Sequence, residues 1–230
     1  MIGYTFTFDE HTSIDFQVDM DSDTSVEDPT APVPDWLALD RFGCTDCALP
    51  VGSRRTCPAA LSIRPVVEAF TDRMSYETVH VVVTGPSGRL EHTMANQSAV
   101  RSLIGLLMAL SACPVMQKLR PMAQHHLPFG NQQHTMFRFV GMYLIAQYLR
   151  VTRGRGAPDW ELTGLLKLFS QLHQVNKKLA DRIRAASEAD AAVNSLIFLD
   201  TFATSAELDV EDCLVDLEPH FAAYFDEPTD

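Results

Sequence analysis

Four cysteines are the residues in this chain best suited to chemistry: Cys44 and Cys47, two residues between them, then Cys57 and, far downstream, Cys113. A two-residue spacer turns the chain back on itself, so that two thiolates can reach one ion. Cys57 and Cys113 each stand before a proline, Pro58 and Pro114, and each precedes an apolar stretch that reads as helix. A residue just ahead of a proline at the first helical position is an N-cap. There the positive end of the helix dipole favours a thiolate. The pattern predicts a four-thiolate structural zinc site with Zn–S bonds near ~2.3 Å. Four cysteines also hold iron–sulfur clusters, and proline directly after a ligand cysteine is a feature of ferredoxin sites. The spacing here is neither ferredoxin pattern, so Zn2+ is the first reading and an iron–sulfur cluster the alternative. Cys213, alone on a C-terminal helical face, reads as a small buried hydrophobe.

Histidine competes for the fourth ligand position. His125 and His126 are neighbours that point different ways, and His134 opens the next helix. His126 lies thirteen residues after Cys113, past a short helix predicted over 115–124, so the chain can fold back toward the cysteines. A closed shell of four thiolates activates no water. Three thiolates with His126 or an open position would instead make the metal a Lewis acid and the protein a metal-dependent enzyme. No predicted helix carries the Glu-x-x-His of the di-iron bundles, and the sequence holds no phosphate loop, dinucleotide fingerprint, nucleophile elbow or His-Glu-x-x-His.

The elements that must position these residues follow from periodicity. Tyr4, Phe6 and Phe8 alternate with polar neighbours, as do Ile14, Phe16 and Val18, which predicts a hairpin about the turn at 9–13. Thr78 to Thr84 and Arg89 to Met94 predict a second hairpin about Gly85-Pro86-Ser87-Gly88. Two hairpins make one antiparallel sheet with helices on a face, an α+β fold. Asp19 to Pro34 reads as an exposed acidic linker, 36–57 as the cysteine segment, and 59–70 as a first helix. From Asn96 onward everything reads helical: one region over 1–95 and a helical one over 96–230, in one compact domain. Met136 to Leu149 is apolar nearly all round, as a central buried helix is. Two Pro-Asp-Trp sequences, at Pro34 and Pro158, predict helix starts, with Asp159 as a cap. The end at 225–230 is expected to fray.

Charge is segregated along the chain. Residues 1–40 carry ten acids and 186–230 twelve, neither with any Lys or Arg, whereas 138–184 carries nine Lys/Arg against three acids. Acidic segments are expected to pack beside the basic one. A formal net charge of −12 argues against nucleic acid as a partner. The longest apolar stretch, Leu103 to Met116, is interrupted by Gly105, Ser111 and Pro114 and is too short to span a bilayer. With no secretory signal visible, a cytoplasmic protein is expected, and in a reducing compartment cysteines serve metal or redox chemistry.

Several motifs recur together: Cys44-x2-Cys47, Cys57-Pro58-Ala59-Ala60-Leu61, Ser111-Ala112-Cys113-Pro114, Leu119 to Ala123, and His126-Leu127-Pro128-Phe129. With Tyr143 to Tyr148 and Asp159 to Leu162, this run resembles an uncharacterised family of bacterial proteins over most of the chain. The resemblance implies a bacterial cytoplasmic protein and no mechanism. It places Cys44, Cys47, Cys57, Cys113 and His126 in one shared pattern, whereas His125 and His134 look peculiar to this chain. The expected function is a zinc protein whose helical part binds another protein.

Overall fold

The computed structural model describes residues 1–50, 52–186, 190–208 and 210–225. Strands β1 (Ile2–Thr7), β2 (Ser13–Val18), β3 (Thr78–Gly85) and β4 (Gly88–Ala95) form one antiparallel sheet in the order β2-β1-β3-β4. Both expected hairpins are present, and β1 and β3 join them at the centre. Alternation decides the face: Tyr4, Phe6, Val79 and Val81 are fully buried, while β4 is an exposed edge. The turn at Pro86-Ser87 closes on Gly88, whose φ of +112° is open to glycine and not to side chains.

Helix α1 (Pro58–Ala69) covers the sheet. Phe70, which ends it, packs its ring on Phe6, Phe8 and Phe16, with centroids 5.1, 6.2 and 6.1 Å away. Then come α2 (Asn96–Ala109), a 3-10 turn at Met116–Leu119, α3 (Arg120–Gln124), α4 (Gln132–Thr152), α5 (Thr163–Ala186), α6 (Asp190–Leu208), α7 (Val210–Leu217) and a last short turn, α8 (Ala222–Phe225). The architecture is α+β with the helices mostly C-terminal. One continuous core runs from Tyr4 and Phe6 through Leu103 and Ile104 of α2 to Phe169 of α5 and Leu196 of α6.

Local departures from the sequence reading have clear causes. The segment at Asp19 to Pro34 is a strap held down by specific bonds. Thr24 donates its hydroxyl to Leu107 O, the fully buried Ser25 accepts from Ala112 N at 2.8 Å, and Gln124 donates to Met20 O. Ser25→Ala removes the acceptor for a part-buried amide and is expected to lower unfolding free energy by about 1–2 kcal/mol in denaturant titration. Pro34-Asp35-Trp36 makes turns whose Leu37 and Ala38 amides bond to Pro34 O, and no helix follows it. Asp159 does cap α5, accepting from Gly164 N at 2.7 Å and Thr163 N at 3.3 Å. Helix α5 packs on α6, where His173 Nδ1 meets Asp200 at 2.7 Å, so basic and acidic segments do lie side by side.

Helix α4 corrects the reading of a central helix. Met136, Phe139, Val140 and Gln147 are buried, but Phe137, Leu144, Ile145, Tyr148, Leu149 and Val151 are exposed. Its all-round apolar character reflects one face in the core and another facing out. Of the end expected to fray, 225–230, Phe225 closes α8 and residues 226–230 lie outside the described residues. Among the described residues no helix is long and apolar enough to cross a membrane.

Candidate functional site

The cysteine segment is positioned by a short bridge and one buried arginine. Ala38 pairs with Thr56, Leu39 N donates to Arg55 O, and Cys57 N donates to Leu37 O, which together close a loop over 40–54. Arg182 of α5, 1% exposed, donates from one nitrogen to both Trp36 O and Ala38 O at 2.8 Å and stands 5.5 Å from the Phe42 ring. Glu27 on the strap accepts from Thr56 N at 2.8 Å.

This arrangement overturns the metal reading. Among the described residues no group of three or more His, Cys, Asp and Glu could hold a metal ion. Cys44, Cys47, Cys57 and Cys113 are free thiols. They are near enough to feel one another's charge without converging on a common point. Burial, and then the neighbouring Cys57, Cys113 and Cys47, push the Cys44 thiol up to about 12, and Arg182 is outweighed. Burial likewise raises Cys113. Cys113 leads into loop and a 3-10 turn capped by Val115, and Cys57, although it is the N-cap of α1, makes no side-chain capping bond. The dipole effect that favoured thiolates is worth only about 0.3–1 kcal/mol at a helix end, and burial exceeds it. Neither zinc nor an iron–sulfur cluster is supported, so the zinc-protein function and the metal-enzyme alternative fall as well.

His126, the alternative ligand, has a different role. Its Nε2 is hydrogen-bonded to the hydroxyl of Tyr4 at 2.5 Å, and that hydroxyl is bonded to Ser102 Oγ at 2.9 Å, with the proton positions set by the histidine tautomer. Burial, with a smaller push from Arg138, lowers the imidazole to about 4, and burial raises the Tyr4 phenol. At neutral pH both groups are uncharged. Ser102 meets the phenol and not the imidazole, so the chain of hydroxyls makes no nucleophile–base pair. His125 and His134 do not join it: His125 O accepts from Arg138 at 2.8 Å, and His134 N donates to the cap residue Asn131 at 2.8 Å.

His126 and Ser102 lie on the wall of an open cavity of about 490 Å³ lined by α2, α3, α4, α5 and α6. Its lining is mainly apolar, including Leu106, Met116, Leu119, Met122, Phe139, Leu172 and Phe202. Two cations interrupt it. Arg101 of α2 lies over the Phe198 ring at 4.1 Å, and Arg138 of α4 donates to Met122 O at 2.6 Å and His125 O at 2.8 Å. Burial lowers both guanidinium groups from their usual range, and among the described residues neither has an ion-pair partner. A half-buried cation without a counter-ion is costly and favours an anion beside it.

The motifs of the chain fall within a family model that matches residues 2–222, described as a domain of unknown function, DUF6901. The chain belongs to the DUF6901 family. Comparison with curated proteins and with solved structures finds no match. In this DUF6901 domain the cavity went unpredicted because it is assembled from five helices. A sequence signal does exist. Arg101 sits among Val100, Leu103 and Ile104, and Arg138 between Phe137 and Phe139, with no acid three or four residues away on either side. A cation embedded in an apolar helical run without such a partner marks a wall that meets something other than solvent.

Proposed function

We propose that this domain is a non-enzymatic binding protein for an elongated apolar molecule with one anionic end, such as a fatty carboxylate. The observation that carries it is the pair Arg101 and Arg138 on an apolar wall with no carboxylate partner among the described residues. The volume suits a small ligand, since such pockets run from about 300 to 1,000 Å³. Leu127 and Phe198, 40% and 51% exposed, mark the mouth through which an alkyl chain enters. The neutral His126–Tyr4–Ser102 chain offers hydrogen bonds without charge, which leaves the guanidinium groups to choose the anion. A cytoplasmic setting accords with free thiols at Cys44, Cys47, Cys57 and Cys113.

Isothermal titration with dodecanoate and with dodecanol tests the reading. Dodecanoate is expected to bind, and Arg101→Met to weaken it by about 10–100-fold, the worth of one charge-assisted hydrogen bond. Arg101 is the better first variant because Arg138 also holds the loop before α4. Equal affinity for acid and alcohol would remove the anionic end from the account. No binding of either would remove the cavity.

A further inference from the structure

We infer that the exposed face of α4 is a self-association surface, on which a second copy of this chain packs its own α4 antiparallel about a two-fold axis. Phe137, Gly141, Leu144, Tyr148 and Val151 follow one another at steps of four, three, four and three residues. That is the seam spacing of paired helices. Phe137, Leu144, Tyr148 and Val151 are 52, 36, 63 and 43% exposed, and a Cβ added at Gly141 would meet nothing within 4 Å. The cavity-lining Thr135 and Phe139 stand across the helix, so a partner on the seam leaves the cavity free.

Size and charge select the occupant. With α4 helices antiparallel, Phe137 comes opposite Tyr148 of the second copy and Gly141 opposite Leu144, so small faces large and ring faces ring. In that register Arg153 lies level with Gln132 of the second copy. Beside Gln132 and Gln133 stands Asp216 of α7, lining the same small recess, with Glu211 and Asp212 one turn away. Arg150, Arg153 and Arg155 at one end of α4 therefore meet the acids at the other end twice, once on each side of the axis. The apolar band continues past the seam, since Phe137 stacks on Phe221 at 6.4 Å and the Tyr224 ring lies tilted against Phe221 at 6.3 Å. Helix dipoles also oppose favourably in this arrangement.

Sedimentation of the full chain over a dilution series tests it. A dimer is expected. Leu144→Glu should weaken it by at least ~100-fold, because it places an unpaired charge in an apolar seam. Tyr76→Glu, at an equally apolar exposed site away from α4 (73% exposed), should leave it intact. Arg153→Glu should weaken association, and adding Asp216→Lys to that variant should restore it, which only the antiparallel register explains. Circular dichroism checks that each variant is folded. A wild-type monomer at every concentration would overturn the inference and give the face to a different protein or a membrane. A dimer that survives Leu144→Glu, or a charge swap without rescue, would overturn it as well.

Discussion

Lowering the pH from 6.5 to 4 is expected to remove about 3 kcal/mol of stability that depends on His126 alone. The imidazole is held neutral by burial, with Arg138 adding to the effect, and its pKa falls from 6.5 to about 4. In the unfolded chain it titrates at its ordinary value. Between those two values the unfolded state therefore binds more protons than the folded state, and stability falls as pH falls. Above about 6.5 both states are neutral and His126 contributes no slope; below about 4 both are charged and the loss levels off. The displacement of about 2.5 units corresponds to about 3 kcal/mol at 1.36 kcal/mol per unit. Urea unfolding of wild type and His126→Gln at several pH values checks this. The variant keeps a hydrogen-bonding group near Tyr4 but cannot charge, so its curve should be flatter by that amount. Parallel curves would mean that the imidazole is solvated in the folded protein and does not sit against Tyr4.

A comparable loss is expected for Arg182→Met, about 3–5 kcal/mol at neutral pH. The substitution keeps the stem of the side chain but leaves the part-buried carbonyls of Trp36 and Ala38 without their shared donor, each worth about 1–3 kcal/mol. Those carbonyls belong to the bridge that closes the loop over 40–54, so the loop should open with it. Trypsin should then cut at Arg41, Arg54 or Arg55 much faster than in wild type. Arg182→Lys should restore part of the loss, because both bonds come from one nitrogen and an ammonium also offers two donors there. A variant within about 1 kcal/mol of wild type, with the loop still resistant, would mean that the bridge is held by the strap through Glu27 and not by α5.

Much of the scaffold was readable residue by residue. Tyr4 and Phe6 alternate with polar neighbours because a strand has two faces, and Gly88 marks the hairpin because its φ is positive. Asp159 was readable as a cap because its neighbours include the Pro158 that sets the chain ahead of α5. The motifs from Cys44 to Phe129 pointed to an uncharacterised family, and the chain lies in one. The site was another matter. Cys57-Pro58 and Cys113-Pro114 looked alike in sequence, yet only the first begins a helix, and burial raises Cys113 where a helix dipole was expected to lower it. Helix α4 shows the same limit from the other side. Its pattern recorded that two faces are apolar, but not that one of them faces away from the core. Arg101 and Arg138 are 37 positions apart in the chain, and their common wall exists only once α2 and α4 have packed.

A crystal structure of the protein grown with dodecanoate tests the binding account most directly. The account expects an alkyl chain along Leu106, Met122 and Phe139, with the carboxylate within about 3 Å of the Arg101 or Arg138 guanidinium. A cavity closed by Phe198 and Phe202, or dodecanoate bound anywhere else on the protein, would contradict it.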